Sequence, residues 1–307
     1  MRIVFMGTPE FAVKSLERLY SDGYDIAGVY SQADKPRNRG MKKSFSPVKE
    51  LALSFGTPVY QPETLRDGLF VESIKKQSCD LIVLVAYGKL LPKEILDVPK
   101  LGCINIHGSI LPKYRGASPI QHAILNGEKE TGVTSMYISE EMDAGDVILT
   151  KKTSIGDSET SVELFERLSI LGSELLSETV DAISNGSATR MPQNHNEATY
   201  APLLTKNMSP IDWAKSAYEI KNQVRGLLPW PVATMELEGK TLKVFNAEVS
   251  GNATGKSPGS LVSYGRPALE IACADSTVIV NEIQAPGGKR MSTEDYLRGN
   301  PIKRDRL

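Results

Sequence analysis

Asp80-Leu81-Ile82-Val83-Leu84-Val85-Ala86 decides the fold. After its opening carboxylate the stretch is continuously apolar, with none of the alternation of a strand that has one wet face. Such a run reads as a central strand of a parallel sheet, buried on both faces. Upstream, Leu65–Lys76 has helical spacing, and Pro58–Tyr60 is short and strand-like. Ser46-Pro47 sets a cap and a proline at the start of a helix that runs through Leu53. Further upstream, Ile26–Tyr30 and Ile3–Met6 are apolar strands. Between them Thr8-Pro9-Glu10 reads as an N-cap, a first-turn proline and an acidic first turn. Phe11, Val13, Leu16, Leu19 and Tyr20 follow at helical spacing. Downstream come the strand Leu101–Ile106, the helix Ser118–Leu125, strands at Val133–Ile138 and Val147–Lys151, and a long amphipathic helix, Glu159–Ile183.

This alternation predicts a doubly wound, mostly parallel α/β sheet with helices on both faces. Ligands in such sheets sit beyond the carboxyl ends of the strands. Those ends carry Gly7-Thr8, Ala86-Tyr87-Gly88 and His107-Gly108. The texture changes after a polar stretch, Gln193–Thr199. A helix is expected over Ile211–Leu227, then Leu228-Pro229-Trp230-Pro231. Short strand-like runs follow at Val232–Leu237, Lys240–Val249, Gly259–Tyr264, Ala268–Ala272 and Thr277–Gln284. Turns at Glu238-Gly239, Gly251-Asn252 and Pro286-Gly287-Gly288 separate them. Strands at this spacing suggest a small β-barrel. The expected domains are residues 1–204 and 205–307.

Composition excludes several classes. Of 307 residues, 40% are hydrophobic and 24% charged, as in a soluble globular protein. No apolar run approaches membrane-spanning length. The opening Met1-Arg2-Ile3-Val4-Phe5-Met6-Gly7 goes directly into a strand-like run and does not read as a signal peptide. Cys79, Cys103 and Cys273 are odd in number and far apart, which argues against a disulfide framework and for a reducing cytoplasm. With only His107, His122 and His195 available, and no metal-ligand spacing, no metal is expected. Gly7-Thr8-Pro9 lacks the three-glycine dinucleotide fingerprint, and no phosphate-loop motif is present, so nicotinamide and nucleoside triphosphate enzymes are excluded. From Lys206 onward 14 Lys+Arg face 11 Asp+Glu; the first 205 residues carry 22 against 26. The sharper asymmetry is local. Between Asp34 and Lys49 stand six bases, Lys35, Arg37, Arg39, Lys42, Lys43 and Lys49, beside one acid. Pro36, Asn38 and Gly40 among them favour an extended, mobile loop over a helix.

The chemistry centres on Asn105 and His107. Positions i and i+2 of a strand share a face, and Gly108 then releases the chain into a loop. A carboxamide, a titratable ring and a later carboxylate in Met142-Asp143-Ala144-Gly145-Asp146 form a minimal kit for acyl transfer without a covalent enzyme intermediate. His122 and His195 are assigned no chemistry.

Four stretches together resemble the methionyl-tRNA formyltransferase family of folate-dependent formyltransferases, across essentially the whole chain. They are Gly7-Thr8-Pro9-Glu10-Phe11-Ala12; the basic segment from Asp34-Lys35-Pro36 through Arg39-Gly40 and Lys42-Lys43 to Ser46-Pro47-Val48-Lys49; Asn105-Ile106-His107-Gly108-Ser109-Ile110-Leu111-Pro112 continuing through Tyr114-Arg115-Gly116 to Ile120; and Met142–Asp146. One conservative departure is Ile110, where the family usually has Leu. The resemblance implies a Rossmann-like formyltransferase domain followed by an OB-like β-barrel that binds tRNA. It implies transfer of a formyl group from 10-formyltetrahydrofolate to the amino group of methionyl initiator tRNA. A monomer is expected, and the cysteine and histidine usage above adds the cytoplasm and no metal. Asn105, His107 and Asp143 are then the catalytic candidates. Asn105 would face the developing oxyanion, His107 would stabilise it or supply a proton, and Asp143 would favour the charged ring or relay a proton. The folate candidates are Ser109, Ile110, Leu111 and Pro112, with Ala86, Tyr87 and Gly88 as a second wall; core packing is an equal reading for Tyr87. The tRNA candidates are Lys35, Arg37, Arg39, Lys42 and Lys43, with Arg39 placed where the family probes the first base pair of the acceptor stem. Lys289, Arg290, Lys303, Arg304 and Arg306 could track phosphates or belong to a frayed end. Two other enzyme readings share the catalytic residues: a formyltransferase acting on a small amine, and a formyltetrahydrofolate deformylase. Neither has a use for the basic segment or the β-rich tail.

Overall fold

All seven strands expected in the first two hundred residues join one sheet. A computed structural model describes residues 1–37, 42–66, 68–251, 253–264 and 269–302, with 35–37 and 42–43 described by their backbone. In chain order the elements are β1 (Arg2–Gly7), α1 (Val13–Ser21), β2 (Asp25–Tyr30), β3 (Lys35–Arg37), β4 (Lys42–Ser44), α2 (Pro47–Ser54), β5 (Val59–Tyr60) and α3 (Gly68–Gln77). Then come β6 (Leu81–Val85), α4 (Lys93–Leu96), β7 (Cys103–His107), α5 (Pro119–Leu125), β8 (Glu130–Tyr137), β9 (Val147–Ser154) and α6 (Ser161–Ser184). The sheet order is β5-β2-β1-β6-β7-β8-β9. The apolar run is β6, held between β1 and β7 in parallel register. Leu81, Ile82, Val83 and Val85 are fully enclosed, and each such side chain contributes about 1.5–3 kcal/mol of burial. β8 runs antiparallel to β7, so the sheet is mostly parallel.

The start of the first helix differs from expectation. A 3-10 turn at Glu10–Ala12 precedes α1, and no side chain caps it. Thr8 is not the cap, because its hydroxyl accepts the Gln32 N–H at 3.2 Å. Ser46 does cap α2, accepting from the Lys49 N–H with Pro47 in the first turn.

In the tail follow α7 (Ala217–Gly226), β10 (Ala233–Leu237), β11 (Lys240–Val249), β12 (Leu261–Ser263), β13 (Leu269–Ala272), β14 (Thr277–Gln284), β15 (Arg290–Ser292) and α8 (Thr293–Gly299). They build an OB-like antiparallel sheet in the order β10-β11-β14-β13-β12, with β15 also paired to β14. Glu238 and Gly239, at φ 50 and 73, form the two-residue turn between β10 and β11, the left-handed pair that matches strand twist. The expected helix over 211–227 begins only at Ala217. Ser216 and Glu219 form a reciprocal capping box there, and Ile211 instead donates its N–H to Thr234 on β10.

The chain forms two compact units. One comprises Met1–Pro119, Glu130–Thr153 and Phe165–Ala201; the other comprises Ile120–Lys129, Ser154–Leu164 and Pro202–Leu307. The second unit has its own core, in which Ile220 and Val224 of α7 pack with Leu242, Val244, Val278 and Val280 of β11 and β14. No helix among the described residues is long and apolar enough to cross a membrane.

Candidate active site

β7 carries Asn105 and His107 on one face at the carboxyl end of the sheet. Asn105 lies opposite Leu84 of β6 and Met136 of β8, and His107 opposite Thr134. Both side chains are more than nine-tenths buried. The His107 ring is held on both sides. Its Nε2 lies 2.9 Å from the Tyr114 carbonyl oxygen, and its Nδ1 lies 3.6 Å from Oδ2 of Asp143. The first contact is a hydrogen bond, and the second is an ion-pair separation beyond hydrogen-bond length. The same Asp143 oxygen accepts the Gly116 N–H at 2.8 Å. Asp143 itself sits at φ 51, a left-handed conformation in which a non-glycine residue stores about 1–3 kcal/mol. Oδ1 of Asn105 is enclosed and has no hydrogen-bond partner. A buried polar atom left unmatched costs about 1–3 kcal/mol, so this oxygen is poised for a donor from a ligand.

The loop after β7 is fixed through its backbone. The Thr134 hydroxyl donates to the Ser109 carbonyl at 2.7 Å and accepts the Leu111 N–H at 3.2 Å. The Ser109 hydroxyl donates to the Lys113 carbonyl at 2.6 Å. Leu111 packs with Met136 and Val147, while Ile110 and Pro112 are half-buried. On the neighbouring strand end Ala86 and Gly88 have φ 47 and 77. A Cβ on Gly88 would lie 2.6 Å from the Gln32 amide nitrogen, which donates to the Tyr87 carbonyl at 2.8 Å. The Tyr87 ring is a core residue, packed with Val4, Met6, Tyr30 and Phe70. Burial pushes its phenol up to about 12, and its hydroxyl has no partner. Any wall that Tyr87 offers to a ligand is therefore its backbone.

The basic segment is not wholly loop. β3 and β4 form an antiparallel ribbon pairing Lys35 with Ser44, Pro36 with Lys43 and Arg37 with Lys42. Arg39 lies outside the described residues, as do Lys303, Arg304 and Arg306. Lys49 is a structural cation: its Nζ meets Asp34 at 2.7 Å and Gln61 at 2.7 Å, with both charged side chains only 14% exposed. In the tail, Arg290 pairs with Glu282 and lies over the Phe245 ring.

Sequence reasoning missed Thr134, the Tyr114 carbonyl and the Gly116 N–H. Each acts through hydroxyl or backbone atoms, which residue type alone does not advertise. It also missed Arg115, 1% exposed, whose Nη2 donates to Oε1 of Gln193 at 2.8 Å. His122 lies 3.1 Å from the Pro202 carbonyl, and His195 lies 3.4 Å from Arg115. The three cysteines are buried, and burial raises each thiol, so none is a ready nucleophile. Among the described residues no group of three His, Cys, Asp or Glu could hold a metal ion.

This arrangement can be set beside known proteins. The formyl transferase family profile matches residues 1–180, and the formyl transferase C-terminal domain profile matches residues 203–301. Methionyl-tRNA formyltransferase of Alkaliphilus oremlandii is 48% identical over 307 residues, covering 100% of this chain and 99% of its own length. The chain belongs to the methionyl-tRNA formyltransferase family. The relative from Clostridioides difficile is 45% identical, covering 99% of this chain and 98% of its own. Solved structures share the fold at lower identity. WlaRD, a sugar 3N-formyl transferase crystallised with dTDP and 5-N-formyl-THF, superposes with a TM-score of 0.69 at 20% identity, over 91% of this chain and 97% of its own. HypX from Aquifex aeolicus in complex with tetrahydrofolic acid gives 0.64 at 21% identity, over 100% of this chain and 49% of HypX.

Proposed function

We propose that this chain transfers the formyl group of 10-formyltetrahydrofolate to the amino group of methionyl initiator tRNA, giving N-formylmethionyl-tRNA in the cytoplasm. The observation that carries the chemistry is the buried set of Asn105, His107 and Asp143 at the end of β7, in a chain that matches methionyl-tRNA formyltransferases end to end. The methionyl amine attacks the formyl carbon, and a C–N bond forms as the carbonyl becomes an oxyanion. The intermediate collapses by breaking the bond to the folate nitrogen, which leaves with a proton, while the amine gives one up. Asn105 supplies an amide to this centre. Its N–H faces the oxyanion, a role that neutral donors fill in acyl transfer, and its unmatched Oδ1 can accept from the amine. His107, held between the Tyr114 carbonyl and Asp143, is the group that gives or takes the proton, with Asp143 stabilising its charged form. The rigid backbone of Ser109, Ile110, Leu111 and Pro112, with Ala86, Tyr87 and Gly88 opposite, fits a flat heterocycle read through main-chain groups. Residues 205–307 and the cations Lys35, Arg37, Arg39, Lys42 and Lys43 are the proposed tRNA contacts, with the protein acting as a monomer.

The deciding experiment incubates the protein with 10-formyltetrahydrofolate and either initiator or elongator methionyl-tRNA, and detects formyl-methionine across a salt series. The expected result is formylation of the initiator that weakens steeply with salt, because binding a polyanion releases counterions. Release of formate with no formyl-methionine would instead indicate a deformylase. Salt-insensitive formylation of small amines would indicate the small-amine enzyme.

A further inference from the structure

We infer that Gln193 is a positioning residue for the formyl transfer, holding the carboxylate of Asp143 in place through a buried contact with Arg115. The inference rests on the proposed role of Asp143. Gln193 is buried, and all of its amide capacity is engaged. Its Oε1 accepts from Nε and Nη2 of Arg115 at 3.2 and 2.8 Å. Its Nε2 donates to the Asp143 carbonyl at 2.9 Å and to the Gly145 carbonyl at 2.8 Å. The orientation of the amide is not ambiguous. A guanidinium can only donate, so the atom that faces it must be the oxygen, and the NH2 must face the two carbonyls.

The clamp acts where the backbone needs one. Asp143 at φ 51 persists in that conformation only if its surroundings over-determine it. Gln193 grips the peptide on either side of Ala144, fixing where the Asp143 carboxylate emerges. The other end of the contact matters equally. Arg115 immediately precedes Gly116, whose N–H binds the Asp143 carboxylate. The Arg115 backbone is itself paired on both sides, donating to the Thr199 carbonyl at 2.8 Å and accepting from Ala201 at 2.7 Å. One buried guanidinium thus ties the loop that carries the carboxylate to the loop that receives it. Three sequence-distant segments, 114–116, 143–145 and 193, are registered against each other beside His107.

The test uses Gln193→Ala and the isosteric Gln193→Glu. The carboxylate of Gln193→Glu keeps a partner for Arg115, so the fold is retained, but it has no N–H for the two carbonyls and repels them. Both variants should lower kcat by about 10–100-fold, the scale of a displacement near 1 Å. KM for folate and for methionyl-tRNA should stay within about two-fold. In an Asp143→Asn background, adding Gln193→Ala should lower turnover by less than about two-fold, because its effect passes through the group already removed. A merely structural role predicts additive losses. Wild-type kcat in Gln193→Glu, or additivity with an impaired Asp143→Asn, would overturn the positioning role alone. An unimpaired Asp143→Asn would overturn both this inference and the proposed role of Asp143.

Discussion

Gly145→Ala should cripple turnover while leaving most of the protein intact. A Cβ built on Gly145 would lie 1.9 Å from the Tyr137 carbonyl oxygen and 2.9 Å from its carbon, whereas ordinary contact begins at 3.4 Å. The obstacle is the backbone of β8, anchored by the Tyr137 N–H on the Asp146 carbonyl at 2.9 Å, so it cannot swing aside as a side chain would. The loop and the strand end must part by about 1.5 Å, the shortfall from ordinary contact. Asp143 lies two residues away, and its carboxylate meets the His107 ring at 3.6 Å. A shift of about 1 Å at a reacting group costs roughly 100-fold in rate, or about 2.7 kcal/mol of barrier. Overpacking of this kind also costs about 1–3 kcal/mol of stability.

The assay is initial-rate formylation of methionyl-tRNA, with thermal melting measured on the same preparations. Gly68→Ala supplies the comparison. That glycine opens α3 with no atom within 4 Å of an added Cβ and without a left-handed φ. Alanine there should be neutral, or stabilising by about 0.4–1 kcal/mol through the unfolded chain. If Gly145→Ala matched Gly68→Ala in both kcat and melting temperature, the tight seating of the Asp143 loop would have no part in catalysis.

Asn105→Ala and His107→Ala should each lower turnover by about 100-fold or more with tRNA binding unchanged by filter assay; near-wild-type turnover would remove that residue from the mechanism. Arg39→Ala should lose most activity on initiator tRNA, keep folate binding, and narrow the preference for initiator over elongator. A retained rate and preference would make Arg39 a solvated charge. Ser216→Ala breaks the capping box of α7 and should cost about 1 kcal/mol, read as a lower denaturant midpoint with unchanged slope. An unmoved midpoint would mean that the cap contributes nothing.

The architecture was legible because its strongest constraint is written in consecutive residues. A strand sandwiched between helical layers must be apolar on both faces, and β6 shows that directly. What failed were places where apolar periodicity has another cause. Ile211 and Trp213 fall at helical spacing with α7, yet they pack on the core of the second unit from outside the helix. β15 and α8 were missed because Arg290–Ser292 and Thr293–Gly299 are short and polar. Within the site, Asn105 and His107 could be paired from sequence since one strand carries both. The contacts of Arg115 with Gln193 and of Thr134 with Ser109 span 78 and 25 residues, and no local pattern encodes them.

Charge shows the same division between what composition counts and what structure makes available. The sequence places six bases against one acid between Asp34 and Lys49, but the acid is not averaged over them. It meets Lys49 in a partly buried foot where Gln61 also binds the Gln32 carbonyl and Gln32 binds the Tyr87 carbonyl. That foot joins the basic ribbon to the end of β6. β3 and β4 set Arg37 opposite Lys42 in the backbone register. A two-stranded ribbon is marginal in water to begin with. A ribbon this short adds little to the fold by itself, and the segment's six bases suit the polyanion contact proposed above. Within this one stretch Lys49 meets Asp34 and Gln61 beside the sheet, while Lys35, Arg37, Arg39, Lys42 and Lys43 are the cations proposed above to meet tRNA.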